Sequence, residues 1–275
     1  MKAESSAIKV KGLSCGYGNK FHITDIHFEV PVGCFTSVIG PNGAGKTTLF
    51  RGISGLLPAN KGSVEIEHTE LSRMSHKERA RKIAIVNQTV EAGNMTMEDY
   101  VLMGRMPYRS PFQFFDTPED YAIAEENMRL TGTWNKKDKF MNRLSGGEQQ
   151  LAAIARALTQ KTNILLLDEP TAHLDISHQM KVLNLIQRLN KENHLTVLLI
   201  IHDLNLASEY SDHLILLNKG KIFTQGTPQE VLTYDHIEEV YDTMVVSQPN
   251  PISGKPFIFP VSANALESSR KSNTL

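Results

Sequence analysis

Two kinds of apolar pattern alternate along the chain. Ile8, Val10 and Leu13, then Ile23, Ile26, Phe28 and Val30, and later Val64 and Ile66 are interleaved with polar residues. This period of two predicts half-buried antiparallel strands near the start. Phe35 to Ile39, Ile83 to Val86, Ile164 to Leu167 and Val197 to Ile201 are instead short, largely continuous apolar runs. Strands covered on both faces have this signature, so the expected fold class is α/β, with a mainly parallel central sheet, helices around it and an N-terminal antiparallel β-subdomain.

Helical spacing governs other stretches. From about Ala92 to Arg143 the chain carries Met95, Met97, Met103 and Met106, the loop-like Pro107 to Pro111 and a helical pattern from Pro118 to Leu130. This reads as a mostly helical insertion between two sheet strands, about residues 92–160, within a domain spanning residues 1–240. Its methionines and aromatics read first as core filler. Glu148 to Gln160 and Ser177 to Leu189 follow as amphipathic helices. A Gly226-Thr227-Pro228 turn then precedes helical spacing in Val231, Leu232, Ile237 and Val240, and residues 241–275 form a C-terminal extension. The first seven and roughly the last ten residues are polar enough to be frayed ends.

Composition narrows the classes. Across 275 residues, 29 Lys+Arg against 30 Asp+Glu give a net charge of −1, with 21% charged and 40% hydrophobic positions. Such a chain has the makings of a globular core, and its charge gives no global case for nucleic acid. No apolar run approaches the ~18 residues that would cross a bilayer. Met1 to Ser6 lack an apolar stretch, so no export signal is expected. Cys15 and Cys34 form no CxxC pair and are expected to be reduced thiols, and the ten histidines show no metal-ligand spacing.

The chemistry begins at Gly40-Pro41-Asn42-Gly43-Ala44-Gly45-Lys46-Thr47-Thr48, between a buried strand and the helix-compatible Leu49 to Arg51. This is the G-x-x-x-x-G-K-[ST] loop in its strand, loop, helix context. Glycines let successive N–H groups turn inward on phosphate oxygens, and the helix start adds partial positive charge. Lys46 is placed to bridge the β- and γ-phosphates of ATP, and Thr47 to ligate Mg²⁺. The run Ile164 to Leu167 ends in Asp168 and Glu169, at the strand end where open α/β sheets hold their ligands. Asp168 is placed to hold Mg²⁺ through water, and Glu169 to polarise an attacking water.

Leu144-Ser145-Gly146-Gly147-Glu148, upstream of Asp168, resembles the LSGGQ signature of ATP-binding-cassette (ABC) ATPases, and further motifs fall in family order around it. Tyr17 matches the aromatic that stacks on adenine, Gln88 the Q-loop, Leu174-Asp175 the D-loop and His202 the switch histidine. The resemblance covers about Ile8 to Val240. Glu148 departs from the usual glutamine, and His173 sits in the approach to the D-loop. The resemblance implies catalysis by Glu169, His202, Lys46 and Gln88, with Gln88 sensing Mg²⁺. It also implies a head-to-tail homodimer. The Ser145 hydroxyl and the Gly146 and Gly147 N–H groups of one copy then close over ATP held by Lys46 of the other, with the signature helix opening at Glu148.

Tyr100 to Tyr108 and Pro251 to Pro260 resemble segments of the ATP-binding subunits of ferric siderophore, haem and cobalamin importers. That implies a motor subunit peripheral on the cytoplasmic side of the inner membrane. Separate permease subunits are its direct partners, a periplasmic or extracellular solute-binding protein is an indirect one, and nucleic acid is not a partner. Met95, Met97 and Tyr100 are then expected near the groove that receives the permease, unless they are domain core. An exporter subunit is the nearer alternative. ABC ATPases that act on DNA place long coiled coils between Q-loop and signature, and the span from Gln88 to Ser145 leaves no room for them.

Overall fold

The computed structural model describes residues 5–18, 22–91, 93–172 and 174–262. His173 and the polar ends at 1–4 and 263–275 lie outside the described residues. The strands in chain order are β1 (Ser6–Gly16), β2 (His22–Pro31), β3 (Phe35–Ile39), β4 (Lys61–Ile66), β5 (Thr69–Glu70), β6 (Ile83–Val86), β7 (Ile164–Asp168), β8 (Thr196–Ile200), β9 (His213–Asn218), β10 (Lys221–Gly226), β11 (Val245–Pro249) and β12 (Pro256–Pro260). The helices are α1 (Lys46–Ile53), α2 (His76–Lys82), α3 (Met97–Leu102), α4 (Pro118–Leu130), α5 (Gly146–Thr159), α6 (Ile176–Asn193), α7 (Leu204–Tyr210), α8 (Pro228–Val231) and α9 (Tyr234–Tyr241).

The alternating segments form an antiparallel sheet in the order β2-β1-β4-β5. The continuous apolar runs form the centre of a second sheet, β10-β9-β3-β8-β7-β6, parallel except for β10. Every residue of β3, β7 and β8 is buried, as strands covered on both faces require. Alternate residues of β7 enter different cores. Ile164 and Leu166 face α1 and the antiparallel sheet, while Leu165 and Leu167 face the helices. Gly52 lets α1 lie close on β1, since a Cβ there would stand 2.9 Å from Cys15 Sγ.

The segment between β6 and β7 carries α3, α4 and α5, and α4 spans the residues its spacing predicts. Thr117 caps it, Pro118 opens it, and Asp120 returns a carboxylate to the Thr117 N–H at 3.0 Å. One alternative is decided and two expectations need correction. Met97 and Tyr100 are buried in the main core, 0% and 2% exposed, so the core alternative holds for both, and Tyr100 also backs a cavity described below. The signature helix begins at Gly146 with Ser145 as its cap, because Ser145 Oγ accepts from the Glu148 N–H and the Glu148 carboxylate accepts from the Ser145 N–H. Strands β9 and β10 extend the central sheet where no strand was expected. The hairpin β11-β12 packs against α7, with Asn205 exchanging hydrogen bonds with Ile258 at 2.7 and 3.2 Å. None of the helices formed by the described residues is long and apolar enough to cross a membrane.

Candidate functional site

The phosphate loop joins β3 to α1 over the C-terminal edge of the central sheet. Its turn demands glycine where the path bends most: Gly40 has φ 148, and a Cβ there would stand 2.4 Å from the Leu217 carbonyl. Gly43 and Gly45, at φ 78 and 107, carry the chain round to the helix. Ala44 anchors the loop from below. Its methyl is buried, its N–H donates to Pro41 O at 3.1 Å, and its carbonyl accepts from the Gly220 N–H at 3.0 Å. Lys46 is only 5% exposed and donates to the carbonyls of Gly40 at 2.8 Å and Pro41 at 3.1 Å. Burial lowers its pKa, against the pull of the Glu169 and Asp168 carboxylates.

Two adjoining cavities flank this loop. One, of about 450 Å³, is lined by Asn42, Gly43, Gly45, Lys46, Thr47, Thr48, Glu169 and His202. The other, of about 650 Å³, has Tyr17, Thr47, Arg51, Gln88 and Asp168 in its wall. Thr47 belongs to both, and Gln88 links them by donating from Nε2 to Glu169 Oε2 at 2.9 Å. The opposite carboxylate oxygen of Glu169 lies 2.5 Å from His202 Nε2. Glu169 stands at φ 49, just past the end of β7, and its N–H donates to Ile200 O at 3.1 Å. This left-handed turn swings the carboxylate out of the strand and towards His202, which follows the neighbouring β8.

Asp168 ends β7 and is buried, and its Oδ1 has no hydrogen-bond partner. Burial, with Glu169 adding to it and Arg51 and Lys46 opposing, pushes its pKa up to about 6. A buried, unpartnered carboxylate oxygen in the same cavity wall as Thr47 is part of a hard oxygen donor set of the kind Mg²⁺ takes with a nucleotide. At the outer end, Tyr17 is 42% exposed, and its hydroxyl accepts from Arg51 Nη1 at 2.7 Å.

The structure therefore brings together Tyr17, the phosphate loop, Gln88, Asp168, Glu169 and His202. It does not bring Ser145, Gly146 or Gly147 to them: none lines either cavity. A Cβ on Gly146 would meet nothing within 4 Å, so that side of the signature is open. Glu148, which stands where glutamine is usual, closes the cap on Ser145 and pairs with Lys136. Sequence reading missed Arg51, Asn87, Thr89 and Arg156 in the wall of the larger cavity. Arg51 carried a signal, since it lies one turn after Thr47 on the same face of α1. The other three lie outside the motifs.

Comparisons with known proteins agree with this geometry. The family model described as ABC transporter matches residues 23–172. The chain is 38% identical over 263 residues to the ferric enterobactin transport ATP-binding protein FepC of Escherichia coli (strain K12), covering 94% of this chain and 97% of that protein. It matches a metal-chelate type ABC transporter solved in an inward-facing conformation, with a TM-score of 0.82, 26% identity and coverage of 94% and 99% of the two chains. It also matches a dimeric post-hydrolysis state of the ATP-binding cassette MJ0796 bound to ADP and Pi, with a TM-score of 0.71, 28% identity and coverage of 80% and 98%. With a glycine cradle, a paired Asp168 and Glu169, and this extent of likeness, the chain belongs to the ABC transporter family.

Proposed function

We propose that this chain is the ATP-hydrolysing subunit of an importer for a ferric siderophore or a related metal chelate. It works as a homodimer bound to separate permease subunits on the cytoplasmic face of the membrane, and a solute-binding protein on the other face delivers the cargo. One observation carries the hydrolytic part: Glu169 is held by Gln88 on one side and His202 on the other, beside the loop that holds Lys46. The direction and cargo class rest on the likeness to the ferric enterobactin and metal-chelate transporters.

The chemistry follows from the positions. The loop N–H groups and Lys46 receive the phosphate oxygens, and Tyr17 offers its ring to the adenine. Bound Mg²⁺, held by Thr47 and Asp168 with the Gln88 amide oxygen nearby, would neutralise charge on the β- and γ-phosphates. Glu169 orients water in line with the γ-phosphate and takes its proton, while His202 fixes the carboxylate and faces the same phosphate. Because Ser145 to Gly147 line neither cavity and, among the described residues, nothing stands within 4 Å of a Cβ on Gly146, a second copy supplies the closing contact. The dimeric form of the MJ0796 cassette supports that arrangement.

The test is Glu169→Gln in the full chain. The variant should bind ATP, pair in the presence of Mg²⁺ and release no phosphate above background. With the cognate permease, Lys46→Ala should abolish uptake of the iron chelate. Hydrolysis by Glu169→Gln at the parent rate would refute the role of Glu169. A variant that stayed monomeric at saturating ATP, with and without permease, would refute the paired arrangement.

A further inference from the structure

The signature loop and the D-loop belong to different elements, yet one side chain touches both. His178 lies in the first turn of α6. Its backbone N–H donates to Asp175 Oδ1 at 2.8 Å, and its ring Nδ1 lies 2.9 and 3.0 Å from the two oxygens of the same carboxylate. The far edge of the ring lies against Gly147. A Cβ built on that glycine would stand 2.8 Å from His178 Cδ2, 3.1 Å from Cγ and 3.4 Å from Nε2. Gly147 is thus backed by imidazole, while Gly146 beside it faces open space.

From this contact we infer that His178 is a positioning residue that locks the N-terminus of the signature helix to the D-loop, so that Ser145 to Gly147 and Asp175 meet a partner copy's nucleotide as one rigid edge. The inference rests on the paired arrangement proposed above. Each contact has its own consequence. The hydrogen bond to Asp175 sets the plane of the ring, because a carboxylate accepting from both the backbone and Nδ1 of one residue fixes its side-chain torsions. The ring plane in turn sets where Gly147 rests. A helix start offers its first N–H groups to an anion only in the direction the helix points. A ring held at a fixed angle behind Gly147 therefore keeps that direction constant before pairing and removes an ordering cost from it.

The test uses His178→Ala and His178→Asn in the full chain carrying Glu169→Gln. In Asn the amide nitrogen takes the place of Nδ1 and the amide oxygen that of Cδ2, so the bond to Asp175 and the two positions nearest Gly147 are kept while the outer part of the ring is lost. His178→Ala should leave monomer affinity for a fluorescent ATP analogue within twofold of the parent, raise the ATP concentration at half-pairing several-fold, and speed amide exchange at Gly146 to Glu148 in the monomer. With Glu169 restored, KM for ATP should rise by about the same factor as the half-pairing concentration. His178→Asn should recover most of the pairing and the exchange protection. Unchanged exchange in His178→Ala overturns the inference whether or not the protein pairs. A loss that His178→Asn does not restore also overturns it, because a ring that merely fills space would behave that way. Failure of the parent itself to pair counts against the paired arrangement, and the exchange measurement still decides the role of His178.

Discussion

His202 Nε2 lies 2.5 Å from Glu169 Oε1, and the other oxygen of that carboxylate accepts from Gln88. A carboxylate gripped at both oxygens has little freedom to rotate, so the lone pair that takes a proton from water points in one direction. Removing its basicity and loosening its grip should therefore separate in kinetics. Glu169→Gln should cut kcat by about 10²–10⁴-fold, the worth of a positioned general base. His202→Ala leaves the base but frees it, and should lower kcat by less than Glu169→Gln does. Glu169→Gln should leave nucleotide affinity unchanged in the absence of turnover, while His202→Ala, which removes a group from the phosphate cavity, should weaken it. Steady-state phosphate release and equilibrium titration of a fluorescent nucleotide measure the two quantities.

Glu148 carries a pH signature. Its hydrogen bond from Lys136 comes first, and the Ser145 N–H second, in holding its carboxyl down to about 2, against opposing burial. The folded pKa lies below the unfolded one, so the native state binds fewer protons than the unfolded chain in this range. The resulting stability is present above about pH 4.5 and is lost as pH falls towards about 2. Glu148→Gln keeps an acceptor for the Ser145 N–H but loses the ion pair. Because the carboxylate is partly exposed and its pairing is screened by solvent, the variant should be less stable by only about 0.5–1 kcal/mol at pH 7. The gap should close as both proteins are acidified, which urea unfolding at a series of pH values would measure.

The two ends of the phosphate loop should respond differently to a methyl group. Gly40→Ala drives a Cβ to within 2.4 Å of the Leu217 carbonyl, on the neighbouring strand, at a φ of 148. Gly43→Ala meets nothing within 4 Å, although its φ of 78 is also positive. The first change has to move backbone and should lower the melting temperature and abolish ATP binding together. The second leaves the neighbouring strand in place and carries a local conformational cost of about 1–2 kcal/mol, with any effect on ATP arising at the cavity wall that Gly43 lines. Differential scanning calorimetry with and without nucleotide distinguishes them.

What could be read from the sequence tracks how local the determining physics is. Strands β3, β7 and β8 were legible because burial on both faces leaves no polar alternation. The loop from Gly40 to Thr48 was legible because its glycines and lysine serve one ligand over nine consecutive positions. Strand β9 was overlooked although Leu214 to Leu217 form a continuous apolar run of the same kind. The hairpin β11-β12 was hidden by Pro249 and Pro256, which pair with each other at its end and make each segment read as loop. Ser145-x-x-Glu148 was itself a capping box, and giving that local signal its weight would have started the helix at Gly146. Met97 and Tyr100 have no such signal, since the sequence does not say whether an apolar face meets its own core or another chain. Gln88 and Glu169, 81 positions apart, were associated only by the order of family motifs, and nothing local pointed to His178 behind Gly147.

Arg105 and Asp120 form a buried pair at 2.8 Å, each side chain only 9% exposed. Asp120 also caps α4 through Thr117, and Arg105 donates from Nη1 to Thr159 O at the end of α5 and lies 4.1 Å from the centre of the Tyr108 ring. The pair thus ties α4, α5 and the Met103 to Tyr108 turn into one unit. Removing one member strands the other charge in a poorly solvated place, so Arg105→Leu should cost about 3–5 kcal/mol. Asn at position 120 still caps Thr117 but carries no charge, so Arg105→Leu with Asp120→Asn should recover a large part of that loss. None of these groups lines the two nucleotide cavities. Arg105→Leu should therefore retain ATP binding below its melting temperature while hydrogen exchange rises across α3 and α4. A loss of nucleotide affinity matching the loss of stability would mean that the helical segment and the phosphate loop unfold together.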